Sequence, residues 1–161
     1  MDENKIIIDK KRLSQYPSLM LEIDLQREKL ARMKSSEVLP PSMKESDGSQ
    51  HTGFGSDRLG AAIARRLDQE PKILARIRRS EEACNAMEQA VDALENPLER
   101  SVLRLRYMEG VEDEETGVTV WDLKPWRDVC IEIYGSDTEK NMTATYRLHG
   151  SALLHLLDLQ A

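Results

Sequence analysis

Between Asn96 and Leu157 apolar residues recur at helical spacing, and a tight-turn signal at Gly135-Ser136-Asp137 interrupts them. No other stretch restricts the fold so closely. Asn96 is a good N-cap, Pro97 suits a first helical position and Gly110 is a natural stop, so a helix is expected between them. Leu98, Val102, Leu105 and Met108 would form its buried face, with the arginines turned outward. A second helix is expected from Pro125 to Tyr134, because Trp126, Val129, Cys130, Ile133 and Tyr134 make an amphipathic stripe. A third should run from about Glu139 to Leu157, with Met142, Thr145, His149, Ala152, Leu153 and Leu156 on one side. A short helix, a glycine turn and a longer helix make a helix-turn-helix pattern.

Placing Met142, Thr145, His149, Ala152 and Leu156 inward fixes the opposite face of the third helix. That face carries Lys140, Thr143, Ala144, Arg147 and Ser151. Lys140 and Arg147 suit phosphate or guanine, Thr143 can bond a base edge or phosphate, and Ala144 can touch a thymine methyl. Residues of these types also make an ordinary solvated helix face, and on the residues alone that blander reading is favoured.

The chain of 161 residues has room for one domain, or a small domain with a helical extension. Only 4% of it is aromatic while 32% is charged, which favours helices with narrow apolar stripes and an all-α fold. The formal net charge of −6 counts against general affinity for nucleic acid, which is driven by phosphate neutralisation. Residues 96–161 hold seven Lys/Arg and twelve Asp/Glu, a balance of −5, and four of those acids cluster at Glu112-Asp113-Glu114-Glu115. Cys84 and Cys130 fall at apolar helical positions, so buried free thiols in a reducing cytoplasm are favoured over a disulfide. No apolar run approaches the roughly 20 residues that span a bilayer, so no membrane partner is expected.

Four segments follow in order. Residues 1–34 are expected to be an N-terminal helical segment, with a helix over Lys10 to Lys34, before which Ile6-Ile7-Ile8 makes an edge strand or, the favoured reading, caps a neighbouring helix. Tyr16, Leu19, Ile23, Leu30 and Met33 set its period, and Pro17 must lie in its first turn or kink it. Glu28 and Arg32 form an i, i+4 pair worth about 0.3 kcal/mol. Residues 35–56, rich in Pro, Gly and Ser, are expected to be a flexible linker. Asp57 then looks like the N-cap of a long helix over 57–95, kinked or broken at Pro71. Leu59, Ile63, Ile73, Ile77, Cys84, Met87, Val91 and Leu94 make a coiled-coil-like seam, interrupted by Arg66, Glu70 and Ser80. So narrow a seam needs a partner, either the Lys10–Lys34 helix in a long helical hairpin or the same helix of another subunit. Residues 96–161 are the helix-turn-helix domain.

Signals for catalysis or metal binding are weak. Glu112 to Glu115 lack the alternating oxygen ligands and central glycine of a calcium loop, and read as a solvated loop. His149 and His155 do not share a helical face, and no Cys/His cluster has zinc spacing. Gly53-Phe54-Gly55 has no strand before it, and no serine is visibly paired with a base. No enzyme activity, cofactor or metal is expected. Trp126 should pack in the core while Trp121 covers its edge; an exposed Trp121 would instead mark a docking surface.

Pro97-Leu98-Glu99-Arg100 with Val102-Leu103-Arg104-Leu105-Arg106-Tyr107 resembles the opening helix of sigma-factor region 4. The run from Trp126 to Gly135 resembles its next helix, and Tyr146 to Leu153 its recognition helix. The run Arg147 to Leu153, with the long helical segment before the domain, is similar to the ArpU/RinA-like phage late-transcription regulators. Val111 to Lys124 is longer and more acidic than the link expected there. The resemblance implies a phage or prophage regulator whose last helix enters the major groove of promoter DNA. It further implies the cytoplasm of a bacterial host, with host RNA polymerase and a second copy in a homo-oligomer, a dimer first of all, as protein partners. Two alternatives stay open. One is an adaptor whose helices contact RNA polymerase or a sigma factor. The other is a packaging protein resembling a small terminase subunit, which also joins a helix-turn-helix to oligomerising helices.

Overall fold

The structure is a computed structural model that describes residues 5–35 and 52–161. Its elements are α1 (Lys10–Ser14), α2 (Tyr16–Ser35), α3 (Thr52–Asp92), α4 (Pro97–Leu103), a π-helical turn (Arg104–Met108), β1 (Gly110–Glu112), β2 (Thr119–Trp121), α5 (Trp126–Tyr134) and α6 (Glu139–Gln160). The chain is thus mostly helical, but two short strands interrupt the expected all-α order. The chain divides into two compact units, one of Met1–Leu21 with Glu81–Ala161 and the other of Glu22–Ser80.

The first unit is built round α4, α5 and α6. Its core holds Leu13, Tyr16, Met87, Val91, Leu94, Val102, Leu103, Tyr107, Val129, Cys130, Ala152 and Leu156, all buried. The N-terminal lead is fastened to the far end of α6. Ile8 is buried, its N–H donates to Gln160 Oε1 at 2.6 Å, and Gln160 Nε2 donates to Ile8 O at 2.8 Å. Ile8 therefore caps a helix, as expected, whereas Ile6 and Ile7 remain exposed. Asp9 caps α1 by accepting from Arg12 N, and Pro17 sits in the first turn of α2, where its missing N–H costs little.

The buried face of α4 differs from the expected one. Val102 is buried, but Leu98 is 49% exposed and Leu105 and Met108 are only half-buried. Glu99, Leu103 and Tyr107 are buried instead. Two physical causes account for this. Glu99 finds hydrogen-bond partners inside, so an acid that spacing assigns to solvent is tolerated there. Leu103 follows Glu99 by four residues on the same face of α4, and the π turn after it admits an extra residue, which shifts the helical phase so that Tyr107 takes the next inward position. The arginines are also not free. Arg100 donates to Leu94 O and Glu95 O, Arg104 pairs with Asp92, and Arg106 donates to Lys124 O at 2.6 Å.

The acidic segment after Gly110 forms an antiparallel hairpin, with Val111 opposite Val120 and Glu112 opposite Thr119. Gly117, at φ 68°, makes the reversal possible. The acids from Glu112 to Glu115 are exposed near its tip. Trp121 lies edge-on to Tyr16 with ring centroids 6.3 Å apart, covering the edge of the core. Lys124 closes the stem by pairing with Glu109 and Glu132.

Helix α3 begins before Asp57, which lies within it rather than capping it. Helix propagation is cooperative, and two glycines at about 1 kcal/mol each do not stop it. Of the expected 35–56 linker, residues 36–51 lie outside the described residues and residues 52–56 are helical. Pro71 lies inside α3 without ending it. Cys84, Met87, Val91 and Leu94 of the seam are buried in the first unit, and Ile73, Ile77 and Ser80 are buried in the second. Met87 and Ile77 are therefore covered within a single chain, whereas Leu59 is half-buried and Ile63 is 40% exposed at the start of the seam. Arg66 and Glu70, two of its interruptions, bond each other at 3.0 Å. In α2, Ile23 is buried and Glu28 pairs with Arg32 at 3.9 Å.

Candidate nucleic-acid interface

The α5–turn–α6 arrangement is fixed at the turn from both sides. Gly135 ends α5 in the left-handed conformation, φ 83°, and donates to Ile131 O at 2.7 Å. Thr138 caps α6 by accepting from Asn141 N. Asn141 Nδ2 bonds Ser136 O at 3.1 Å and Ser136 Oγ at 2.9 Å, while Cys130 Sγ donates to Ser136 O at 3.3 Å. Arg127 pairs with Asp137 at 2.6 Å across the same turn. Two residues that spacing placed in the cores of α5 and α6 therefore hold or flank the turn: Cys130 on one side, and Thr145, which bonds Asn141 O at 2.8 Å, on the other.

The inner face of α6 is seated by aromatic contacts. His149, 7% exposed, lies edge-on to Trp126 with centroids 4.5 Å apart and shares a 2.8 Å hydrogen bond with the Tyr107 hydroxyl. Trp126 also meets Tyr146 at 5.5 Å, and the Arg106 guanidinium lies 4.5 Å over its ring. Burial holds His149 down at about 4, with the positive charges of Lys10 and Arg106 acting in the same direction, so it is neutral at pH 7. Burial raises Tyr107, which keeps its proton. This seat was legible only in part, since spacing placed Trp126 and His149 inward without pairing either with Arg106 or Tyr107.

The outer face carries the expected residues. Lys140, Thr143, Ala144, Arg147 and Ser151, with Tyr134 and Glu139, line one open hollow of about 760 Å³. Lys140, Thr143 and Arg147 are exposed and Ala144 is half-buried. Among the described residues neither Lys140 nor Arg147 has an ion-pair or hydrogen-bond partner, so both cations are available to an outside anion. Thr143 Oγ1 donates to Glu139 O at 3.0 Å, which leaves its oxygen able to accept.

Ser151 is placed differently from its four companions. It donates at 2.9 Å to Glu99 Oε1, which also meets His155 Nδ1 at 2.7 Å. Glu99 is 3% exposed. The two bonds tie α6 to α4, so Ser151 positions the outer face of α6 as well as bordering it. Pairing with Glu99, with Asp158 adding a little, raises His155 above its ordinary value. Nothing in the spacing singles out Glu99, but Ser151 and His155 lie four apart on α6, which is the one cue to a shared partner.

Among the described residues no group of three or more His, Cys, Asp or Glu is placed to hold a metal ion, and no helix is long and apolar enough to cross a membrane. Comparisons with family models, with curated proteins and with solved structures return no match.

Proposed function

We propose that the protein is a transcriptional regulator of the phage or prophage type that binds promoter DNA through α5, the Gly135 turn and α6. The observation that carries this reading is the outer face of α6, where two unpartnered cations, a threonine and an alanine share one open hollow on a helix whose inner face is braced by buried His149 against Trp126. Arg147 would contact a guanine or a phosphate, Thr143 a base edge, Ala144 a thymine methyl and Lys140 the backbone. Binding needs no cofactor. The setting implied is a bacterial host cytoplasm, with host RNA polymerase as protein partner. Selection from a random duplex library tests it: a defined motif should enrich with the wild type. Enrichment no better than with an unrelated acidic protein would remove the reading.

The acidic hairpin favours a second role for the same chain. Val111, Val118 and Val120 are 55–61% exposed beside the acids from Glu112 to Glu115, a surface that repels phosphate and suits protein contact. In the adaptor reading this surface, rather than α6, is the working one. Loss of polymerase binding on replacing the valines by serine, with DNA selection failing, would favour it.

A further inference from the structure

The middle of α3 has a charge opposite to that of the chain as a whole. Residues 58–79 hold seven Lys/Arg and two Asp/Glu, a balance of +5 in a chain of net charge −6. Arg58, Arg65, Lys72 and Arg79 recur at intervals of seven, with Arg76 one turn before the last, and all five are exposed. Seven residues fall only about 20° short of two full turns, so these side chains form one stripe about 31 Å long. The two acids of the segment are already engaged, Asp68 with Lys72 at 3.6 Å and Glu70 with Arg66 at 3.0 Å. Arg58, Arg65, Arg76 and Arg79 have no partner among the described residues.

We propose that this stripe is a second, sequence-independent binding surface that takes the phosphate backbone of duplex DNA. Guanidinium groups pair with phosphate oxygens in a forked geometry, and a row of them about 31 Å long approaches the roughly 34 Å of one duplex turn. A lipid surface fits less well. A helix lying on a bilayer needs cations flanking an apolar face that can insert. Here Ile73 and Ile77 are buried in the protein, and the exposed Ile63, Leu67 and Leu74 lie on the side of α3 opposite the stripe. The surface adds affinity to the regulator proposed above and does not depend on Arg147.

The test is the salt dependence of binding to a fluorescent duplex of scrambled sequence, for the full chain. Each phosphate contact contributes about 0.9 to the slope of log affinity against log salt, so Arg58→Gln, Arg65→Gln, Arg76→Gln and Arg79→Gln together should lower it by about 3 to 4. Affinity at low salt should fall by more than about tenfold. Lysine at the same four positions should preserve most of the slope, and circular dichroism should match the wild type for both variants. An unchanged slope and affinity in the glutamine variant overturn the proposal. So does tighter binding of a poly-glutamate peptide, single-stranded RNA or anionic vesicles than of the duplex. Arg147→Ala, measured alongside, should lower this slope by at most about 1. Loss of the stripe effect with sequence preference intact sinks only the stripe. Absence of any sequence preference with the stripe effect intact sinks only the reading of α6.

Discussion

Glu99 joins two side chains of α6 to α4 through one buried carboxylate, and the histidine it holds makes the fold sensitive to pH. The pKa of His155 is raised in the folded state, so its contribution to stability is fully present below the unfolded value of about 6.5 and is lost as pH rises through the folded one. His149 acts in the opposite sense. Its folded value of about 4 lies below the unfolded one of about 6.5, so stability is lost as pH falls from about 6.5 towards 4. Urea midpoints measured from pH 4 to 8 should therefore show His155→Gln destabilised relative to wild type mainly at the acidic end. Under the same conditions His149→Gln should lose much of the wild type's acid sensitivity. A His155→Gln penalty that grows with pH would mean that the pair with Glu99 is absent in solution.

Elements whose side chains follow simple periodicity match their spacing closely. In α5, Val129 and Cys130 are buried where the stripe put them, but Trp126 and Ile133 are half-buried and Tyr134, 38% exposed, lines the outer hollow instead. In α6, Thr145, His149, Ala152 and Leu156 are inward. That inward set is why the outer face could be read residue by residue, apart from the direction of the Ser151 hydroxyl. Helix α4 was less legible, because a π turn leaves no mark in composition and a buried Glu99 looks like any solvent-facing acid. The hairpin was missed for another reason. Its strands are three residues each, too short for an alternating pattern, and an acidic run separates them. Its packing gives a sharp test at Gly110, where an added Cβ would lie 2.5 Å from Thr119 Cγ2 and 2.9 Å from the Trp121 ring. Gly110→Ala should cost about 1–3 kcal/mol in chemical denaturation followed by tryptophan fluorescence; a neutral effect would place the hairpin elsewhere. Cys130, with 0% exposure, and Cys84, whose thiol burial and then Glu88 and Glu81 push up to about 11, should both resist a bulky thiol reagent until denaturant is added.

On the scale of the whole molecule, the long helix divides its work. Its second half contributes core, so Met87→Ala should destabilise the chain by about 2–5 kcal/mol without changing its mass in solution. A change from oligomer to monomer would restore the seam as a subunit contact. Its middle, residues 58–79, carries the cations that residues 96–161 lack. The net charge of −6 accordingly says little about affinity for DNA, because the sign is set separately on separate surfaces. Base reading by α6, as proposed, shows as a preference among sequences. The most direct measurement compares affinity for the selected duplex with affinity for a scrambled one, at fixed salt, for the wild type and for Arg147→Ala with Thr143→Ala. The double variant should keep its helicity and thermal stability and lose about 1–3 kcal/mol of preference for the selected sequence if Arg147 meets guanine in a bidentate pair. An undiminished preference in the folded double variant would contradict the assignment of α6 as the recognition helix.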